Sequence, residues 1–491
     1  MNPHIDFHAF APEIVLTATI VLVLLVDLLT ERKEWLPRLA SLGVLGALIP
    51  IVTLAADGTN RSMFGGAYVV DNYALAFKGF FLVVAYVSLL MSFDEIETGD
   101  YYKGEYYVLL LTSVLGMTVM ASARDLISIF VAIETITIPT FILAGWRKHD
   151  TKSNEAALKY FLIGVLSSAV MLYGMSLVYG MSNGSTLLSD IFHFLATNHH
   201  VPAMFAVAVF LTLVGFAFKV SAVPFHFWAP DTYEGAPLPV TAFLSVASKA
   251  GGFVALLTIV RFGFFPLADS WQPILWILAA ASMTLGNLAA LRQTNIVRML
   301  AYSSVAQGGF ILVPLAVAGD LGTKNTSAWQ AVLVYLLIYG AMNLGIFAAV
   351  IAAARRTRST EISSFAGMGR ADPALGVVIS IFLFSLAGVP PFAGWFAKFV
   401  MFRAAFDAGS TAAVVLAVIA ALNSVIAFFY YSGVVRQVWF REPAPEQLGY
   451  GRRPTPMALN VALTLTVAAV LVVGVYPQAF ARIGELAFRV T

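Results

Sequence analysis

Apolar runs of about twenty residues, each long enough to cross a hydrocarbon core as a helix, recur along this chain with only short polar connections between them. A span in lipid must satisfy its backbone internally, so runs of this kind fold as helices packed side by side. Fourteen are predicted, at 10–29, 37–56, 73–93, 105–123, 125–146, 156–180, 202–222, 238–263, 273–291, 294–317, 328–353, 374–409, 412–439 and 456–478. Composition agrees: 59% of the 491 residues are hydrophobic and 11% charged, against roughly 45–50% and 25% in a soluble domain. A water-soluble enzyme is excluded, and no connection is long enough for a separate domain outside the bilayer. The fold class is an all-α polytopic membrane protein, with residues 1–491 as a single membrane domain.

With 29 Lys and Arg against 27 Asp and Glu, the charge balance gives no reason to expect a nucleic-acid partner. The absence of cysteine removes disulfides, thiolate-held iron–sulfur clusters and Cys-based zinc sites. The seven histidines (His4, His8, His149, His193, His199, His200 and His226) are scattered, and no Walker motif or H-x-x-x-H pair occurs. No nucleotide, metal or haem site is therefore expected in this chain. The first apolar run lacks a basic leader and is followed by Arg32, Lys33 and Arg38, which reads as a retained helix with its N-terminus outside. Assigning connections to alternate sides puts seventeen Lys and Arg inside. Eight fall outside, at Arg61, Lys78, Arg124, Arg261, Lys324, Arg403, Arg482 and Arg489. That bias agrees with both termini outside.

Four lysines remain within spans, Lys159, Lys219, Lys249 and Lys398, together with Glu134 near the middle of its own span. A charge at the bilayer centre costs at least about 2.5–3.5 kcal/mol, so each must face protein or a wet cavity and is a functional candidate by default. Burial disfavours an ammonium and a nearby carboxylate restores it, so a buried Lys–Glu pair can hold or release a proton. Breaking the Glu134 pairing would leave a lysine uncompensated. The composition is that of a proton relay; the alternative is ion pairs that glue helices. For Lys159, four residues after Glu155, a local helical pair is an equal reading.

Two spans are interrupted, by Val223-Pro224-Phe225-His226-Phe227-Trp228 and by Val389-Pro390-Pro391-Phe392-Ala393-Gly394-Trp395. Proline removes an intrahelical hydrogen bond, and the freed carbonyls persist at membrane depth only inside protein or beside water. The breaks lie five spans apart, and Leu115-Gly116 and Phe141-Ile142-Leu143 are echoed by Leu285-Gly286 and Phe310-Ile311-Leu312. An odd number of spans inverts such a repeat across the membrane, and paired broken spans point to a transport pathway. His226 stands at the first break, as a relay or as an ordinary hydrogen-bonded histidine. Tyr302, Ser303, Ser304 and Gln307 occupy the repeat position of Glu134 and line a hydrated path or serve as interhelical glue.

These residues carry a resemblance. The buried Glu134, the stretch from Lys219 through Val223-Pro224-Phe225-His226-Phe227-Trp228-Ala229-Pro230-Asp231 to Tyr233, Gly235, Ala236 and Pro237, and the second break with Lys398 resemble the antiporter-like membrane subunits of respiratory NADH:quinone oxidoreductase, complex I. Ala11-Pro12-Glu13-Ile14, the end of the chain soon after the fourteenth span and lysine at 398 resemble its N-type (ND-two) subunits. The resemblance implies fourteen helices with two inverted five-helix repeats, about 105–263 and 273–440, after three N-terminal helices at 10–93 and before a last helix at 456–478. It implies a Glu134–Lys219 charge pair in the first half-channel, Lys249 as central relay and Lys398 in the second. NAD, FMN, iron–sulfur clusters and quinone would be held by partner subunits and none by this chain. Its partners would be an antiporter-like neighbour, the small K-type subunit and the lipid of a bacterial plasma membrane. A multisubunit Mrp-type cation/proton antiporter shares the motif, and a purely structural membrane-arm subunit is a third class.

Overall fold

The computed structural model describes residues 5–31, 33–98, 103–198, 202–322, 326–442 and 454–489. His4, His199, His200, Arg32 and Lys324, named above, lie outside the described residues, as do Arg452 and Arg453 among the seventeen counted inside. The chain runs through α1 (Ala11–Leu29), α2 (Trp35–Asp57), a hairpin of β1 (Arg61–Met63) and β2 (Tyr68–Val70), α3 (Asn72–Thr98), α4 (Lys103–Ser122), α5 (Leu126–Ala144) and α6 (Thr151–Met181). It continues with α7 (Leu188–Thr197), α8 (Ala203–Lys219), α9 (Trp228–Gly235), α10 (Leu238–Phe243), α11 (Lys249–Ile259), α12 (Ala268–Ala290) and α13 (Ile296–Ala316). After α14 (Ala318–Leu321) and α15 (Ser327–Thr357) come α16 (Met368–Ala371), α17 (Pro373–Ala387), α18 (Gly394–Ala408), α19 (Thr411–Phe440), α20 (Met457–Val475) and α21 (Gln478–Ala487).

Every expected apolar segment is helical, but eleven of the described helices are long and apolar enough to cross a membrane, against the fourteen expected. The difference has physical causes. Leu238–Ala290 joins two expected spans in one helical stretch through π-helical turns at Leu244–Ser248 and Val260–Phe264. The segments expected at 202–222 and 374–409 are cut short at their proline breaks, leaving α8 and α17 at 17 and 15 residues. Burial separates the helices into two kinds. α13 and α15 are buried nearly all round, whereas α1, α2, α6, α19 and α20 turn apolar faces outward, as lipid-facing helices do.

Two local arrangements occur twice, 170 positions apart. Asp125 caps the N-terminus of α5 by accepting from the amides of Ile127 and Ser128, and Asn295 caps α13 by accepting from those of Val297 and Arg298. A short side-chain acceptor satisfies amides that have no partner within the helix. Each cap is tied to a distant strand-like segment, the Leu126 amide donating to the Thr186 carbonyl and the Ile296 amide to the Thr360 carbonyl. Gly116 and Gly286 form the second correspondence. A Cβ at Gly116 would stand 2.8 Å from the Ile136 nitrogen, and one at Gly286 2.7 Å from the Ala306 nitrogen. In both places the absence of a side chain lets α4 lie on α5, and α12 on α13, backbone to backbone.

Gly286→Ala is therefore expected to push α12 off α13 and cost about 1–3 kcal/mol, as overpacking does. Gly433→Ala, where no atom lies within 4 Å of the new methyl, is expected to be neutral or slightly stabilising. Thermal unfolding of the two variants in detergent checks the contrast.

Candidate functional site

α5 carries Glu134, with no charge within a helical turn on its own helix, and the end of α8 delivers Lys219 to it. The Lys219 ammonium donates to the Thr137 hydroxyl at 2.5 Å and stands 3.8 Å from Glu134 Oε1. Thr137 in turn donates to the Ile133 carbonyl at 2.6 Å. From α6 the Ser168 hydroxyl donates to Glu134 Oε1 at 2.6 Å. The side chains are 4% and 20% exposed for Lys219 and Glu134. The carboxylate thus lies beyond hydrogen-bond reach of the ammonium, whose first partner is a neutral hydroxyl. The pair is loosened, with the lysine the more deeply enclosed member.

The break after α8 makes this geometry possible. Helix ends leave carbonyls without intrahelical partners; here the Phe218 carbonyl accepts from the Trp228 indole at 3.2 Å. The Trp228 ring stacks on Tyr160 with centroids 4.4 Å apart, pinning α9 against α6. On the far side Gly252 of α11 lies against Lys219, where a Cβ would meet the Lys219 Cβ at 2.8 Å. α11 therefore carries Lys249 past the break one turn away.

Lys249 is 2% exposed and has no carboxylate partner among the described residues. Its ammonium donates to the Ser304 carbonyl and hydroxyl, at 2.6 and 2.5 Å. It begins α11 immediately after a π-helical turn, a distortion that frequently marks functional sites. The Ser245 carbonyl in that turn accepts from the Tyr339 hydroxyl at 3.1 Å, and the same hydroxyl reaches Ser304 Oγ at 3.0 Å.

Lys398, 7% exposed, donates to the Ala387 carbonyl at 2.6 Å and lies 5.0 Å above the Phe310 ring. Ala387 is the last residue of α17, so the ammonium sits at the carbonyl end of a broken helix, where the macrodipole favours a cation. The adjacent Leu386 carbonyl accepts from Gln307 at 3.1 Å, and Gln307 accepts from the Tyr335 hydroxyl at 2.8 Å. Ser303 and Tyr431 exchange a hydrogen bond at 2.5 Å. α13 therefore presents Ser304 to Lys249 and, one turn on, Gln307 to the Leu386 carbonyl, next in the chain to the one that holds Lys398. Three lysines and a glutamate from four separate segments thus form a buried polar set; no described hydrogen bond joins Lys219 to Lys249, but Gly308 of α13 lies beside both the Val220 carbonyl and Lys249 Nζ.

The other expected residues lie apart from it. The Lys159 side chain is 43% exposed and engages Glu155 at 2.6 Å and Asp231 at 2.7 Å. Asp231 also receives Arg298 at 2.8 Å, and Arg298 reaches Glu234 at 3.0 Å. This network clasps α6, α9 and α13 at the end of the bundle. His226 is half-buried at the break with its ring 6.4 Å from Tyr302, and no described hydrogen bond joins it to the lysines. Sequence reasoning missed Thr137, Ser168, Tyr339 and the Ala387 carbonyl. It also placed Lys78 among outward connections, whereas its side chain is fully buried against Glu13. The signal for Lys78 was its position six residues into the third span. Among the described residues no cluster of three or more His, Asp or Glu side chains could hold a metal.

A helical membrane bundle with lysines enclosed at broken helices defines a class of ion-translocating subunit. Residues 123–424 match the family described as "NADH:quinone oxidoreductase/Mrp antiporter, TM", and the chain belongs to that family. It is 41% identical to NAD(P)H-quinone oxidoreductase subunit 2 of Thermosynechococcus vestitus, over 94% of this chain and 89% of the relative. It is 38% identical to NADH-quinone oxidoreductase subunit N of Trichlorobacter lovleyi, over 99% of this chain and 97% of the relative. Among solved structures it resembles a chain of respiratory complex I from Thermus thermophilus, at 30% identity and a TM-score of 0.78 over 96% of this chain and 98% of that one. The fold also resembles a chain of the Mrp complex from Dietzia sp., at 20% identity and a TM-score of 0.84 over 98% and 97%.

Lys219→Met and Glu134→Gln are each expected to lower the unfolding temperature, because each strands the other charge in the interior. The double variant should be less destabilised than the sum of the two, by a coupling of about 0.5–3 kcal/mol. Strict additivity in a double-mutant cycle would show that the two side chains do not interact.

Proposed function

We propose that this chain is a proton-translocating membrane-arm subunit of a respiratory NADH:quinone oxidoreductase, acting through Glu134, Lys219, Lys249 and Lys398 while quinone is reduced elsewhere in the assembly. The observation that carries this reading is the enclosure of three ammonium groups at interrupted helices, with one carboxylate beside the first of them. Relatives named as subunit N and subunit 2 at about 40% identity support the enzyme assignment. The Mrp-type antiporter rests on likeness at 20% identity, which speaks for the fold alone.

In this account Glu134 sets the charge of Lys219. While the carboxylate is near, the ammonium keeps its proton; when Glu134 turns away or is protonated, an unpaired ammonium in a dry interior is unfavourable. Its proton then passes toward Lys249 and on to Lys398 through waters that Ser304, Gln307 and the Ala387 carbonyl would orient. Lys159 and His226 would act beside the line, Lys159 by holding α9 through Asp231. The repeated caps and repeated glycine contacts support two inverted repeats at about 105–263 and 273–440. Both termini would face outside, with the chain in a bacterial plasma membrane beside an antiporter-like subunit and the small K-type subunit. NAD, FMN, iron–sulfur clusters and quinone would belong to partner subunits.

Lys219→Ala in the assembled, membrane-embedded enzyme is expected to leave NADH oxidation by an artificial acceptor intact while lowering protons moved per electron. An unchanged ratio in fully assembled enzyme would contradict the assignment of Lys219.

A further inference from the structure

A second buried ion pair lies away from the lysine line, between the N-terminal helices. Lys78 of α3 is fully buried, and its ammonium stands 2.9 Å from Oε1 of Glu13, whose side chain is 2% exposed in the first turn of α1. On its other side the ammonium donates to the Tyr68 hydroxyl at 2.7 Å and lies 4.9 Å from the centre of that ring. Tyr68 belongs to β2, with Phe10 edge-on at 5.4 Å. We propose that Glu13, Lys78 and Tyr68 form a further proton-binding site of this subunit, holding a proton at the end of the bundle where α1 begins before it leaves.

Three features argue against simple helix glue. Taking both charges out of water costs several kcal/mol per ion, and apolar side chains of similar volume would hold α1 to α3 at least as well. Both Glu13 oxygens are buried; Oε1 has the Lys78 ammonium at 2.9 Å and Oε2 no hydrogen-bond partner among the described residues, whereas a carboxylate kept permanently ionised is normally saturated with donors. The ammonium, by contrast, has a second set of partners in the Tyr68 hydroxyl and ring face. It therefore stays solvated by protein when Glu13 is neutral.

The surroundings supply an outlet. The Ser122 hydroxyl, buried at the end of α4, lies beside Tyr68. Asp71, at the start of α3, is 23% exposed and paired with Arg124 at 3.2 Å. Just before α1, His8 Nδ1 lies 3.6 Å from Asp57, and Arg61 bridges Asp57 and Asp6 at 3.0 and 2.5 Å. Those groups form a partly exposed titratable cluster around the hairpin that carries Tyr68. In the step proposed, one proton adds to the Glu13 carboxylate to give the neutral carboxyl, while Lys78 remains an ammonium on Tyr68. Transfer of that proton to the cluster restores the carboxylate and the pair, with no other bond made or broken.

The inference rests on the function proposed above, so the test compares Glu13→Gln with Glu134→Gln in membrane vesicles containing the whole enzyme. Artificial-acceptor activity counts assembled complex, and proton uptake is measured per NADH oxidised. The expected result is normal assembly with Glu13→Gln and a loss of protons per NADH like that of Glu134→Gln. A normal ratio for Glu13→Gln beside a reduced one for Glu134→Gln overturns the site alone. A normal ratio for both overturns the proton-pumping reading with it. Should Glu13→Gln fail to assemble, Glu13→Asp decides: the proposal expects pumping with a displaced pH profile, and an unshifted profile overturns it.

Discussion

The cost of enclosing an ammonium group in a dry helical bundle organises this protein. Lys219, Lys249 and Lys398 are each at most 7% exposed, and only Lys219 has a carboxylate within 4 Å. The others are held by neutral groups: Lys249 by the carbonyl and hydroxyl of Ser304, and Lys398 by the carbonyl of Ala387 and the face of Phe310. A continuous α-helix spends its carbonyls on its own amides, so spare acceptors at membrane depth require interruptions. The break after α17 frees the Ala387 carbonyl, the break after α8 ends that helix at Lys219, and a π-helical turn precedes Lys249. Irregular backbone is tolerated in lipid only where protein or water receives it, and here it receives cations.

α13 is the element on which the line converges. It is buried nearly all round, yet carries the adjacent Ser303 and Ser304 and, a turn later, Gln307. Those side chains bond to Lys249, to Tyr431 and to the Leu386 carbonyl, so a shift of α13 along its axis moves partners of both remote lysines together. Its N-terminal Arg298 is clasped to Asp231 and Glu234 of α9, the short helix that begins at the first break. The short helix at the first break and the partner of Lys249 are thus joined through α13. That is the kind of contiguous network through which a charge change at Glu134 can be felt at Lys398.

Much of this was legible in the sequence because hydrophobicity and burial are nearly the same statement in a membrane. Apolar runs located the helices, and Glu134, Lys219 and Lys249 stood out because nothing at their depth could solvate them except protein. The prolines at 224, 390 and 391 marked both breaks. The neutral partners were not legible: Thr137, Ser168 and Tyr339 are ordinary residues of apolar helices until tertiary packing aims them at a charge. Lys78 was read as a residue near the interface for a related reason, since six residues from a helix start is within reach of the interface for a lysine that snorkels, and only Glu13 of α1 and Tyr68 of β2 close over it. Lys159, only a few residues into its span, keeps the local Glu155 pair that its spacing offered and lies on a half-exposed face.

The central claim is that the enclosed lysines are linked by a path a proton can follow. The most direct measurement is a high-resolution cryo-EM map of this chain within its assembled complex, with ordered water resolved. The account predicts waters hydrogen-bonded in succession between Lys219, Lys249 and Lys398, with Ser304, Gln307 and the Ala387 carbonyl among their partners. Close-packed apolar side chains without water between any two of those lysines would contradict it.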